Sequence, residues 1–428
     1  MTSISKRASK TLAVECPLNK ALMQVIHKLQ HPEFNPQGAL NLGLAHNDLL
    51  HEKVFKKVLC QQCLQIEPND VNYGAPHGSQ RLLGLLQLFF TKHFKPHYPL
   101  QSDHIFTQTG AGASVNQLIM SIADEGDYCM LPGPYYGAFD LDISVHTGVN
   151  IIEVFPHELV DTTIDGDELE RVYQQAKSEG KKITCILVTN PDNPLGRCYS
   201  QQDIETFLKF ASMHNLHLIF DEIYALSSFS HLIETCKQDP FQSVLSVNYK
   251  DFIDPTLVHV IYGMSKDFAV NGFRVGFIID QFNEPLRLAL IRSAGFSYTS
   301  TIMDRLLSNL FSDEIWIDEY LQENRQLLAE TYVKTTQFLS ENNIDFIPGE
   351  AGPFFMIDIR SIVRRNHNRE ATFDDENQIW HNMITHGVYL APGFVFHSQV
   401  PGFFRLTFAL PWKTLEHGLN IMLKSFNI

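Results

Sequence analysis

The chain has 428 residues, 44% of them hydrophobic and 19% charged, with a formal net charge of −15. That composition fits a globular protein of two or more subdomains and excludes disordered and fibrous chains. With no basic stripe to neutralise phosphates, nucleic acid and anionic membrane surfaces are not expected partners.

The N-terminal stretch Met1 to Lys10 is polar and basic with no apolar core after it. No later stretch approaches the roughly 20 apolar residues that cross a bilayer, so a cytoplasmic location is expected. Cys60-Gln61-Gln62-Cys63 has redox or zinc spacing, but no second pair accompanies it, and it reads as helix packing with no metal. The remaining cysteines (16, 129, 185, 198 and 236) are scattered, and reduced thiols are expected throughout. From about Asp103, short apolar runs alternate with helical patterns, the signature of a mostly parallel sheet covered by helices on both faces. Seven runs read as strands: His104 to Thr107, Tyr128 to Leu131, Ile151 to Val154, Cys185 to Val188, Leu216 to Phe220, Val258 to Ile261 and Val275 to Ile278. Ser312 with Asp313 and Glu314 resembles a helix start, followed by Ile317, Leu321, Leu328, Tyr332 and Leu339 on one helical face. Strand-like runs at Phe354 to Ile359 and Phe403 to Phe408 follow. The expected fold is α/β: a large domain over 48–320 with a seven-stranded sheet, and a smaller α/β domain from 1–47 and 321–428.

Six segments carry chemistry. Thr109-Gly110-Ala111-Gly112-Ala113-Ser114 joins the first strand to a helix through small residues, so backbone N–H groups at Ala111, Gly112 and Ala113 can approach an anion at the helix's positive end. Tyr136, closing Leu131-Pro132-Gly133-Pro134-Tyr135-Tyr136, can stack on a flat ring or serve as a core tyrosine. Asn193 lies in the turn Asn190-Pro191-Asp192-Asn193-Pro194-Leu195-Gly196, at a strand end where residues meet a cleft; a plain surface loop is the alternative. Asp221 ends a buried strand and needs a cationic partner, such as a protonated pyridine nitrogen, unless it caps a helix. Tyr224 follows as a possible donor to a ring oxygen. Lys266, in Gly263-Met264-Ser265-Lys266-Asp267-Phe268, stands eight residues before Arg274 and reads as the lysine that holds the aldehyde of pyridoxal phosphate, with Ser265 and Arg274 gripping its phosphate; alone, the run also fits a solvated turn. Arg405 is a lone cation amid apolar residues. It suits a substrate carboxylate or an internal salt bridge.

Together these pieces, with Asn41-Leu42-Gly43-Leu44-Ala45 and Pro401-Gly402-Phe403-Phe404-Arg405, resemble the fold-type I pyridoxal-phosphate enzymes of the class I/II aminotransferase superfamily, especially the aminocyclopropane-carboxylate synthases and synthase-like proteins. The likeness runs from about Asn41 to Leu410. It implies a homodimer with two shared active sites, and the roles above for Asn193, Asp221, Tyr224, Lys266, Arg274 and Arg405. Three positions depart from the family. His46 stands where the plant-type synthases carry glutamate, Pro76 where they have a tyrosine reaching across the dimer, and Gly263 where most relatives place a phosphate-binding serine. His46, and Tyr73 as a substitute for that tyrosine, become substrate-site candidates. The expected activity is transamination of an α-amino acid through an internal aldimine on Lys266, with Arg405 holding the carboxylate. Alternatives are an α,γ-elimination from S-adenosylmethionine and an inert relative that kept the fold.

Overall fold

The computed structural model describes residues 4–60, 63–156, 165–234 and 241–426. The seven apolar runs form one sheet: β1 (Ile105–Gln108), β2 (Tyr128–Pro132), β3 (Asn150–Val154), β4 (Ile183–Thr189), β5 (His217–Asp221), β6 (Val258–Gly263) and β7 (Gly276–Ile279), in the order β1-β7-β6-β5-β4-β2-β3. β3, β2, β4, β5 and β6 run parallel, while β7 is antiparallel to both its neighbours, β6 and β1. Successive side chains leave opposite faces. Cys129 and Leu131 pack with Val115, Leu118 and Phe139 on one side, whereas Met130 joins Leu86, Phe207 and Leu307 on the other. Because both faces are covered, the strands are apolar at nearly every position. Several expected ends fall one residue outside the strands: His104, Leu216, Val275, Ile359 and Phe408 lie just beyond the observed hydrogen-bonded runs.

A second, antiparallel sheet runs in the order Ala391–Pro392, Phe403–Thr407, Phe354–Asp358, Asp345–Phe346. The N-terminal segment joins it: Leu40–Asn41 pairs in parallel with Val388–Tyr389, and Ala21, Val25 and Leu42 share its hydrophobic cluster. One helix, Glu314–Glu341, enters both cores. Its first turns place Ile317, Tyr320 and Leu321 in the core of the large sheet, and later turns place Leu328, Tyr332 and Leu339 in the second cluster.

One local expectation is refined and another corrected. The long helix is capped by Asp313, whose side chain accepts from the Trp316 N–H at 3.1 Å, not by Ser312. Ser312 instead donates its hydroxyl to the Asn309 carbonyl at 2.8 Å and closes the preceding helix. Cys60 and Cys63 do not pack within a helix, since His51–Val58 ends before them; Cys63 is buried in the core of the large sheet. None of the six described cysteines forms a disulfide, and Cys236, Gln61 and Gln62 lie outside the described residues. Among the described residues no His, Cys, Asp and Glu side chains are grouped to hold a metal ion, and no helix is long and apolar enough to cross a membrane.

Losing a cap oxygen leaves helix N–H groups without partners. Asp313→Ala should therefore lower stability by about 1–2 kcal/mol in urea unfolding, and Ser312→Ala by less than about 0.5 kcal/mol. Equal effects would refute the assignment of the cap.

Candidate active site

The carboxyl ends of β4, β5 and β6 meet the start of the helix Ala111–Ile122 around a cavity of about 210 Å³. Open parallel sheets present their ligand crevice at this edge. Ala111, Gly112, Tyr136 and Asn193 line the cavity, together with Asp221, Tyr224, Ser265, Lys266 and Arg274. Asp142, Thr189, Ile223 and Asn271 also line it, and sequence patterns had singled out none of these four. Ala113 stands one residue further into the helix.

One end of the cavity is built for an anion. After β1, Gly110 turns with φ +99°, and a Cβ there would lie 2.7 Å from Nη2 of Arg274, so only glycine lets the guanidinium approach. The N–H of Ser114 bonds the Gly110 carbonyl at 3.1 Å, which leaves the N–H groups of Ala111, Gly112 and Ala113 ahead of the first helical bond. Arg274 spends one donor on the Asn271 carbonyl, at 2.9 Å, and forms no ion pair among the described residues. Gly263 has no room for a larger residue: a Cβ there would lie 2.9 Å from the Val275 carbonyl oxygen, so a serine at this position would collide with backbone.

At the other end stand Asp221 and Lys266. The Asp221 carboxylate accepts from the Ile223 N–H at 3.3 Å and has no ion pair among the described residues. Burial pushes it up to about 7. No α-helix starts after it, only the 3₁₀ turn Ala225–Ser227, so the capping alternative falls away. Lys266 donates from Nζ to the Ala45 carbonyl at 2.7 Å. Burial, with the cations Arg405 and Arg274 nearby, lowers it to about 7. Its turn is held by Asp267, which accepts from the Leu226 N–H and the Tyr262 hydroxyl, both at 2.9 Å, and from the Ser227 hydroxyl. Those contacts tie the lysine to the loop that carries Tyr224.

Arg405 lies with its guanidinium carbon 4.6 Å from the ring centroids of both Phe354 and Phe396. It donates from Nη1 to Asn193 Oδ1 at 2.6 Å and from Nη2 to the Gly43 carbonyl at 2.7 Å. Its Nε is buried with no partner, and no described carboxylate pairs with it. The internal salt bridge is thus excluded among the described residues. His46 lies beside Ala45 with its Nδ1 2.8 Å from the Leu44 carbonyl and its Nε2 3.4 Å from Asp48, outside the cavity lining. Tyr73 is 97% exposed and does not reach the cavity of its own chain.

A group that pattern reading missed holds the two sheets together beside this site. His397 approaches Asp140 through Nε2 at 2.9 Å and Glu153 through Nδ1 at 3.1 Å, stacked 4.4 Å from the ring of Tyr135. The Tyr135 hydroxyl donates to the other oxygen of Asp140 at 2.9 Å, and the Tyr135 N–H bonds the Phe396 carbonyl at 3.0 Å. Phe396 is the ring that flanks Arg405.

The family model for aminotransferase class I and II matches residues 40–421. The chain belongs to that family. It is 30% identical to 1-aminocyclopropane-1-carboxylate synthase 2 of Cucurbita pepo over 401 residues, 91% of this chain and 78% of that one. With 1-aminocyclopropane-1-carboxylate synthase-like protein 1 of Mus musculus it shares 28%, over 91% of this chain and 76% of the relative. Aspartate aminotransferase from Thermotoga maritima superposes with a TM-score of 0.77 at 20% identity, over 99% and 100% of the two chains, and shares the fold. The family depends on pyridoxal phosphate, and the residues fit that cofactor. A buried carboxylate without a cation suits a protonated ring nitrogen, Tyr136 and Ile223 border the space for a flat ring, and the helix start with Arg274 suits a phosphate.

Burial disfavours charge on His397, but Asp140 and Glu153 outweigh it and raise the imidazole to about 9. A folded value above the ordinary 6.5 means that the stabilisation is whole below pH 6.5 and disappears as pH rises towards 9. Over that window the wild type should lose about 2 kcal/mol more stability than His397→Gln, measured by urea unfolding at each pH. Parallel pH profiles would remove the imidazolium from the account.

Proposed function

We propose that this protein is an aminotransferase acting on an α-amino acid, working as a cytoplasmic homodimer. The observation that carries the reading is the placement of Arg405 and Lys266 on one short segment: the carbonyls of Gly43 and Ala45, two residues apart, hold the guanidinium and the amine. Arg405 lacks an anion and keeps a free buried donor, so a substrate carboxylate completes it. That contact fixes the α-carbon near Lys266. Burial leaves much of the amine neutral at neutral pH, so Nζ can accept the α-proton and return it at a neighbouring carbon. When bound, pyridoxal phosphate supplies an electron-withdrawing ring that lowers the cost of removing the proton. Asp221 would hold the cofactor by its ring nitrogen and keep that nitrogen protonated, while Tyr224 and Asn193 would donate to its ring oxygen. Tyr136 and Ile223 exclude water from its faces. Tyr73, exposed on its own chain, is assigned to the partner's cavity.

The names of the relatives favour a second reading, an elimination on S-adenosylmethionine. The two reactions share Lys266 and Arg405 and differ in what leaves. Purified protein supplied with pyridoxal phosphate and a panel of amino acids should yield keto acids and the aminated cofactor. Release of methylthioadenosine from S-adenosylmethionine without amino-group transfer would install the second reading, and neither product would mean an inert relative.

Lys266→Ala should abolish turnover while leaving the unfolding midpoint within a few degrees of wild type. Arg405→Ala should raise KM for carboxylate substrates by about 10–100-fold. An unchanged KM would reduce Arg405 to a structural cation.

A further inference from the structure

The phosphate cradle contains a carboxylate that a dianion should not welcome. Asp142 projects from the helix Phe139–Thr147 into the cavity, and a Cβ on Gly112 would lie 3.0 Å from both of its carboxylate oxygens. It therefore stands over the first turn of the helix Ala111–Ile122, while Arg274 closes in on Gly110 from the other side. The carboxylate accepts no hydrogen bond and forms no ion pair among the described residues, although N–H groups and a guanidinium are close by. The titratable groups facing it are Arg274 from the turn after β6, Tyr136 and Asp221 from the ring end of the cavity, and Cys16 from the N-terminal segment. Only Arg274 among them is a cation. Burial raises the Asp142 carboxyl to about 6, and Arg274 opposes that shift.

We propose that Asp142 couples cofactor binding to proton uptake, the phosphate entering the cradle together with one proton that the Asp142 carboxyl and the phosphate oxygens share. Two anions in one water-poor cradle repel each other, whereas a protonated carboxyl becomes a hydrogen-bond donor to phosphate. The balance is one proton taken from solvent per cofactor bound, with no bond broken. The proposal rests on the reading that this cavity holds the phosphate of pyridoxal phosphate. It makes Asp142 a residue that sets which protonation state of the cofactor is retained. Linkage gives the sign: each proton taken up weakens binding tenfold per pH unit once the free carboxyl is ionised.

The test uses the full-length chain stripped of cofactor, as wild type and as Asp142→Asn, titrated with pyridoxal phosphate and with pyridoxal. Calorimetry in buffers of different ionisation enthalpy counts protons, and visible absorbance gives Kd between pH 6 and 8.5. Wild type should take up about one more proton per pyridoxal phosphate than Asp142→Asn at pH 7.5, and its affinity should fall about tenfold more per pH unit. Pyridoxal, which lacks the phosphate, should show neither difference. Ionisation of the phosphate itself and condensation with Lys266 are common to both proteins and cancel. Equal proton uptake, or weaker binding by Asp142→Asn at every pH, would overturn the proposal. Should the variant not fold, wild type alone decides, because equal uptake with pyridoxal phosphate and pyridoxal overturns it equally. If neither compound binds wild type, the cofactor reading of the cavity itself fails, a result distinct from binding with equal uptake.

Discussion

Charge buried without its counter-charge is the constraint around which this molecule is arranged. Arg405 and Asp221 are buried and Lys266 is half-buried, and none of the three has an ion-pair partner among the described residues. Leaving a charged group buried and unpaired costs several kcal/mol, so such an arrangement persists only where a ligand supplies what is missing. Each deficit has a shape. The guanidinium lies between two phenylalanine rings with one donor spare, the carboxylate faces the space beside Tyr136, and the amine is desolvated enough to be partly neutral. On the proposed function a carboxylate, a protonated ring nitrogen and an aldehyde would fill these deficits in turn.

The fold meets the cost elsewhere. A sheet buried on both faces, and one helix of 28 residues shared by two cores, supply the apolar burial that holds the site open. The second sheet is tied to the large one by polar contacts outside the cavity lining. His397 bridges to Asp140 and Glu153, and the Gly196 carbonyl accepts from both Glu350 and Ala351 N–H groups at 2.6 and 2.9 Å. Such directional links fix one relative placement, where apolar contact alone tolerates sliding.

The strands were legible because burial on two faces makes them short apolar runs bounded by turn residues, a pattern local enough to read. Their order and the reversal of β7 were not, since both depend on pairing between distant segments. Lys266, Asp221 and Asn193 were legible as polar residues after the ends of apolar runs, and Arg405 as a cation inside one, where burial is costly without a partner. Asp142 escaped because two acids on a short helix look like a solvated face, and only the return of that helix over Gly112 makes Asp142 a cavity group. His397 escaped for a related reason: its two carboxylates come from Asp140 and Glu153, more than 200 positions earlier in the chain. The helix-end error at Cys60 is of another kind, a slip of a residue or two where fraying ends compete, whereas the start expected at Ser312 to Glu314 is where the long helix begins.

Asn193 carries the coupling one step further. The same side chain lines the cavity and accepts from Arg405 at 2.6 Å, so on the proposed function a cofactor ring and a substrate carboxylate would be linked through one amide. A ring oxygen that drew on the amide's N–H₂ end would polarise its carbonyl end, strengthening the grip on Arg405 and holding the guanidinium plane in place for a carboxylate. By thermodynamic reciprocity, a carboxylate that steadies Arg405 must steady the cofactor by the same free energy. On that reading the two binding functions lie on either side of a single hydrogen bond, and the loop that carries Asn193 inherits the requirement to be rigid.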